Sequence, residues 1–309
     1  MIDVSCIILS NLNDLFVKER LIPSILDNSK LYNIEIIVVD NSPDHTFDYD
    51  DNDIKIIRSK PWHIPKGYNK GASEANGKYL AFFHDDCILY DDKWIEKLTK
   101  HLDNTIWAVS PEKQEGYSDG NYTMFLKEVP LMMEKKNFLD IGGYDETYYV
   151  GFEDVLLCQT IVDKGKQIKH VPIKHFHYKG MSTVLMGCDK QTREYYKKIF
   201  LNLTKYNSDY FNELHSTTDL AIHEIISSMN ASDGLDTIYY RMIGKNFYEN
   251  DEKIISSDNS GLHSGFFQWD WMKKIMPRMP RTEKELEEYK EKLKSYKIGD
   301  SYGKRNKQI

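Results

Sequence analysis

Hydrophobic and polar positions fall into two kinds of block along the first half of the chain. Asp3 to Leu9 (DVSCIIL), Ile34 to Val39 (IEIIVV), Ile54 to Ile57 and Tyr79 to Phe83 are short β-branched or aromatic runs. Most of them close on polar clusters, the pattern of buried strands. Between them Leu15 to Asn28 places Val17, Leu21, Ile22, Ile25 and Leu26 at helical spacing. Gly67 to Ala75 reads as a second helix, and Trp94, Ile95, Leu98 and Leu102 mark a third. Strands alternating with helices predict an α/β domain whose mostly parallel sheet is covered on both faces and joined by right-handed crossovers. Ligands of such sheets bind beyond the strand carboxyl ends. The clusters Ser10 to Asn13, Asp40 to Asp44 and His84 to Asp86 all fall at that edge, so three loops converge on one crevice.

After Ile106 to Ser110 the pattern loosens. The run Phe138 to Asp145 (FLDIGGYD) leads into Gly151-Phe152-Glu153-Asp154. Val155 to Val162 then reads as an apolar helix, and Gln167 to Val171 as a strand followed by His175-Phe176-His177. From Cys188 onward the chain reads as helical and aromatic. This divides it into a domain over 1–187 and a helical extension over 188–309. Thr282 and Glu285 form a T-x-x-E capping box at the start of a late helix, with Leu286, Tyr289, Leu293 and Tyr296 as a narrow apolar stripe.

Composition narrows the class. In 309 residues, 40% are hydrophobic and 29% charged, with 21 Tyr and 13 Phe, which excludes a disordered chain. The longest apolar runs fall short of the roughly 18 residues that span a bilayer. Met1-Ile2-Asp3 passes straight into a strand without a leader pattern, so a cytoplasmic protein is expected. Cys6, Cys87, Cys158 and Cys188 match no paired metal spacing, and three sit in apolar segments as reduced core thiols. Net charge is −7, unevenly spread: residues 273–309 hold 12 Lys and Arg against 6 Asp and Glu, leaving 29 against 42 before them. An acidic body argues against a general nucleic-acid coat. The basic tail reads either as a solvated helix of mixed charge or as a contact for anionic lipid or phosphate.

The phosphate-loop signatures are missing. No G-x-G-x-x-G follows a strand, and Gly71 to Tyr79 departs from a P-loop in length and in its last residue. Three acidic or histidine groups carry chemistry instead. Asp85 and Asp86 end a buried strand, where adjacent carboxylates repel unless a cation offsets them and hard divalent ions find oxygen ligands. Taken alone, the pair also suits a turn or a helix cap. Glu153 and Asp154 open an apolar helix, either as acids complementing its dipole or as a catalytic base beside an acceptor hydroxyl. His175 and His177, two apart on an extended segment, share a face, and imidazole suits manganese and other transition metals. Asp40 at the end of the second strand is a hydrogen-bond acceptor for a base or ribose, or else the head of an Asx turn with Ser42.

These runs, VSCIILSNLN, IIVVDNSPD, GYNKGASEANGKYLAFFHDDC, FLDIGGYDETYYVGFEDVLLCQTIVDKGKQIKHVP and HFHYKGMS, together resemble the family 2 inverting glycosyltransferases of the GT-A fold. The similarity spans roughly residues 3 to 182 and rests on several motifs in order. It implies a Rossmann-like GT-A domain that binds a nucleoside-diphosphate sugar, UDP favoured, with Mn²⁺ or Mg²⁺ bridging the diphosphate. Leu9, Ser10 and Asn11 resemble the nucleotide-binding loop, Asp40 the base-reading aspartate, and Asn69 and Gly71 the N-x-G facing the nucleotide. Asp85 and Asp86 resemble the last two positions of the acidic D-x-D motif, with Asp86 as metal ligand. His84 stands where the family usually has Asp or Asn. Asp154 resembles the general base, Glu153 its supporting acid, and His177 a histidine that touches metal or diphosphate, with His175 adjacent. The reaction implied is one in-line displacement with inversion, on a saccharide or lipid-linked acceptor. Trp269 and Trp271 before Lys273-Lys274 suit peripheral membrane contact; a nucleic-acid acceptor is an outlier. Two rivals from other classes are a nucleotidyltransferase, which needs a Gly-rich basic loop where Ser10-Asn11-Leu12-Asn13 stands, and a non-catalytic nucleotide- or glycan-binding module.

Overall fold

The computed structural model describes residues 2–177 except 52, 119–120, 148 and 151–152, together with Ser182, Glu194, 253–255 and 282–294. Cys188, Trp269, Trp271 and most of the expected helical extension lie outside the described residues.

Twelve strands are described: β1 (Val4–Ser10), β2 (Ile34–Asp40), β3 (Ile54–Arg58), β4 (Tyr79–His84), β5 (Cys87–Leu89), β6 (Ile106–Ser110), β7 (Lys113–Ser118), β8 (Asn121–Leu126), β9 (Leu131–Glu134), β10 (Gln167–His170), β11 (His175–His177) and β12 (Lys253–Ile255). The helices are α1 (Asp14–Phe16), running through a π turn over Val17–Leu21 into α2 (Ile22–Asp27), then α3 (Ile64–Glu74), α4 (Trp94–Thr99), α5 (Lys135–Asp140), α6 (Glu153–Asp163) and α7 (Glu283–Lys294).

Eight strands form one sheet in the order β12-β10-β6-β9-β4-β1-β2-β3. All but β9 and β12 run in one direction. The α/β architecture expected from the alternating blocks is therefore present, with two antiparallel insertions. Residues alternate between two cores, as a sheet buried on both faces requires. Ile7, Leu9, Ile37, Val39 and Phe82 pack with Tyr68, Ala72, Phe138, Val155 and Ile161 on one side. Cys6, Ile8, Ile36, Val38 and Phe83 pack with Val17, Leu21, Ile25, Trp94 and Leu98 on the other. Gly71 sets the approach of α3, because a Cβ there would meet Ile7 Cγ2 at 2.5 Å.

The loosened stretch after β6 holds what periodicity did not reveal. β7 and β8 form a separate hairpin, and β9 returns between β4 and β6. Strands this short, three to six residues, leave too little alternation to read. The segment expected to be purely helical also contributes β12, which adds an antiparallel edge to β10. The capping box is real: Glu285 N–H donates to Thr282 Oγ1 at 3.2 Å, and Leu286 is buried. No helix among the described residues is long and apolar enough to cross a membrane.

Candidate active site

The carboxyl ends of β1, β2, β4 and β6 bring Ser10, Asp40, His84 and Ser110 to one edge of the sheet, and the antiparallel β9 starts there. Six buried carboxylates, Asp85, Asp86, Glu112, Glu128, Glu153 and Asp154, collect in this region with the histidines of β11. So many anions removed from water require cations or protons among them.

Asp85 faces the first loop. Its Oδ2 accepts the Asn11 N–H at 2.7 Å, and the Ser182 hydroxyl lies 2.8 and 2.9 Å from its two oxygens. Asn13 Nδ2 donates to the Asp85 carbonyl at 2.8 Å. Burial, together with the charge of Asp86, pushes the Asp85 carboxyl up to about 7 against these donors. Asp86 meets β11 instead: its Oδ1 is 3.1 Å from His177 Nε2. That nitrogen is buried and makes no hydrogen bond. The opposite ring nitrogen, Nδ1, is 2.7 Å from Glu112 Oε2. Both neighbours are carboxylates, so the ring is held between two acceptors, with Nδ1 engaged by Glu112 and Nε2 facing Asp86. His84 completes the group: His84, Asp86 and His177 each offer one atom, all within 4.8 Å of one another. A carboxylate and two imidazoles form a donor set for a transition metal such as Mn²⁺ rather than for Ca²⁺. The orphaned Nε2 and the Glu112 support behind His177 fit a ligating histidine.

His84 also accounts for Glu128. Its Nε2 lies 3.2 Å from Glu128 Oε2, and Tyr144 donates to Glu128 Oε1 at 3.0 Å. Burial opposes a charged ring, but the hydrogen bond and charge of Glu128, with Asp86 and Glu153 behind, raise His84 to about 9. Glu128 is correspondingly lowered, burial being outweighed by His84.

Glu153 and Asp154 occupy the first turn of α6. Lys127 Nζ pairs with Asp154 Oδ2, and Oδ1 accepts the Val155 N–H at 2.7 Å. Burial raises the Asp154 carboxyl, Lys127 opposes this and Glu128 adds to it. Glu153 forms no ion pair among the described residues: burial, Asp154 and Glu128 push it up to about 8 against the weaker pull of Lys127.

The remaining expected residues are placed as follows. His175 donates its attention to protein groups, Nδ1 to the Ile173 carbonyl at 3.1 Å and Nε2 3.8 Å from Glu112, outside the three-residue group. Asp40 closes an Asx turn, accepting from Ser42 N–H at 3.0 Å and Phe47 N–H at 3.1 Å and pairing with Arg58. Leu9 and Ser10 are buried at the end of β1. Asn69 docks the loop after α5: its Nδ2 donates to the Tyr144 carbonyl and its Oδ1 accepts the Tyr144 N–H, both at 2.9 Å. That loop turns through Gly142 and Gly143 at φ +83° and +77°, a region that favours glycine. Tyr144 sits in the FLDIGGYD run without a role read for it, and Glu112, Lys127 and Glu128 belong to no motif visible in the sequence. Their one signal is charge inside apolar context, Lys127-Glu128 between Phe125-Leu126 and Val129-Pro130.

Residues 6–149 match the family model described as Glycosyl transferase family 2. The match covers just under half of the chain and ends before Glu153. Among curated proteins none matches. Solved structures with a similar fold include a mannosyltransferase, PcManGT, from Pyrobaculum calidifontis in complex with GDP-Man and Mn²⁺, at 16% identity and TM-score 0.43, over 55% of this chain and 53% of that one. GalNAc-T7 with UDP, GalNAc and Mn²⁺ aligns at 13% identity and TM-score 0.46, over 56% of this chain and 42% of that one. S. aureus TarS 1-349 in complex with UDP-GlcNAc aligns at 14% identity and TM-score 0.40, over 52% and 53%. The chain spans about half the length of the structures it matches.

Proposed function

We propose that this protein is a divalent-metal-dependent inverting glycosyltransferase that moves a sugar from a nucleoside-diphosphate sugar, UDP favoured, to a hydroxyl of a saccharide or glycolipid. The observation that carries the reading is the grouping of His84, Asp86 and His177 at the sheet edge, with a second acid pair, Glu153 and Asp154, at a helix start beside it. The family 2 match over 6–149 supports the same class.

In this reading His84, Asp86 and His177 would hold Mn²⁺ or Mg²⁺, which would supply positive charge for a departing diphosphate. Asp85 ties the first loop, through Asn11, to the edge where the donor lies. Leu9, Ser10 and Asp40 border the nucleotide. Asp154 takes the proton of the acceptor hydroxyl as its oxygen bonds to the anomeric carbon and the carbon–phosphate oxygen bond breaks. Glu153 stays protonated near neutral pH, because its carboxyl is raised to about 8, and so adds no further negative charge beside the attacking oxygen.

The test is a thermal-shift panel of UDP, GDP, dTDP and CMP, each with and without Mn²⁺. A ligand at about 100 times its Kd stabilises by about 2.7 kcal/mol. One nucleotide stabilising only with metal supports the reading; none doing so overturns it. Asp154→Asn is expected to lower turnover about 10²-fold or more with nucleotide binding retained.

A further inference from the structure

Lys127 lies in the short connection between β8 and β9, immediately before Glu128, and reaches the start of α6. Its side chain is 16% exposed and that of Asp154 is 3% exposed, so the ion pair they form is screened from water. The ammonium is held as well: Nζ sits 4.7 Å from the ring centroid of Phe125 on β8, a cation–π contact. The two Asp154 oxygens are thus fixed separately, one by Lys127 and one by the Val155 N–H.

The surroundings of this pair are otherwise acidic. Glu128 adjoins Lys127, Glu153 adjoins Asp154, and Cys158 lies one turn along α6. From β10, Lys169 contacts His101 and His170 contacts the Pro111 carbonyl. Glu128 is itself answered by His84 and Tyr144. Among the described residues Lys127 is the cation that pairs with Asp154. A carboxylate buried with two acids next to it takes up a proton unless an opposite charge holds it ionised. A protonated carboxyl cannot accept a proton from an acceptor hydroxyl.

We propose that Lys127 is a positioning residue for Asp154: its ammonium keeps the Asp154 carboxylate ionised and oriented, and so sets the pH range in which the acceptor hydroxyl is activated. This rests on the reading of Asp154 as the base. In the sequence only its apolar neighbours mark Lys127, since its partner is distant along the chain. The pairing also explains why two adjacent acids differ, because Lys127 pairs directly with Asp154 and acts on Glu153 only at a distance.

The experiment uses the full chain with Mn²⁺ and, as donor probes, UDP-glucose, UDP-N-acetylglucosamine and GDP-mannose, reading release of the nucleoside diphosphate with water as acceptor. Lys127→Met is expected to move the acidic limb of the kcat profile upward by about 1–3 pH units. It is expected to lower kcat about tenfold at pH 7 and leave the donor KM within about twofold. Lys127→Arg is expected to restore most of both. A readout independent of turnover is the ¹³C carboxyl resonance of Asp154, assigned by its loss in Asp154→Asn, whose titration midpoint is expected to rise in Lys127→Met. A resonance that does not move in the folded variant overturns the proposal. If Lys127→Met does not fold, Lys127→Gln and Lys127→Arg carry the same comparison. Full turnover in Asp154→Asn would instead sink the base assignment, whereas loss of turnover there with an unmoved profile in Lys127→Met sinks the role of Lys127 alone.

Discussion

His177 stands between two carboxylates, with Nδ1 2.7 Å from Glu112 and Nε2 3.1 Å from Asp86. One side fixes the ring, and the other aims a buried nitrogen at the strand edge where His84 also reaches. Because the supporting acid sets both the tautomer and the basicity of a ligating imidazole, its removal weakens a bound metal without touching it. Glu112→Gln is expected to lower Mn²⁺ affinity about 10–100-fold, measured by isothermal titration on the full chain. Unchanged affinity would show that Glu112 serves packing only.

The donor set also predicts which ion is preferred. Mg²⁺ favours oxygen ligands and holds its own waters, whereas two imidazoles beside one carboxylate suit Mn²⁺ or Co²⁺. Competition titrations should therefore give Mn²⁺ at least about tenfold tighter binding than Mg²⁺. Equal affinity would mean that Asp86 and waters alone hold the ion, and that His84 belongs only to Glu128.

How much of this was readable beforehand divides along physical lines. Strands β1 to β4, α3 and α6 announce themselves because each buries a continuous apolar run or stripe, and the acids at their ends stand out against it. Asp86, Asp154 and His177 were visible for that reason. The third member of the group, His84, stands in the strand-end cluster with Asp85 and Asp86 and departs from the family pattern, and a histidine at a strand end has several ordinary uses. Glu112, Lys127 and Glu128 lie in the stretch of hairpin and short strands, where three to six residues carry no period and partners are set by register rather than spacing. Their roles come from contacts between residues distant along the chain, such as Lys127 with Asp154 at the start of α6, which no local pattern encodes.

Glu153 makes a stability prediction with a definite sign. Its carboxyl is raised from an ordinary 4.5 to about 8, by burial first and then by Asp154 and Glu128. The folded protein thus binds this proton more tightly than the unfolded chain. The group costs nothing below about pH 4.5 and progressively destabilises the fold as pH rises through 8. In metal-free protein kept in EDTA, Glu153→Gln is expected to match the parent Tm near pH 5. It should exceed the parent by several degrees at pH 8.5, which corresponds to at least about 1 kcal/mol. A gain that is the same at both pH values would show that the side chain's ionisation is not what limits stability.

Asn69 and Gly71 test whether a motif that resembles a nucleotide contact acts through the ligand or through the fold. The Asn69 amide is taken up by both backbone groups of Tyr144, and Tyr144 in turn stacks on Tyr68 at 5.2 Å and donates to Glu128. Removing the amide frees the loop that orients Glu128 beneath His84. Gly71 faces Ile7 and Val39, with no room for a methyl group: the built Cβ meets Ile7 Cγ2 at 2.5 Å and Val39 Cγ2 at 3.1 Å. Overpacking of this kind costs about 1–3 kcal/mol. Gly71→Ala is therefore expected to lower Tm by several degrees while leaving the Kd for Mn²⁺ and the stabilising nucleotide within about twofold. Asn69→Ala is expected to lower Tm and also to weaken Mn²⁺ binding, because His84 loses an ordered Glu128 behind it. A nucleotide Kd that worsens tenfold in either variant, with Tm unchanged, would place these residues in direct contact with the donor and overturn the structural assignment.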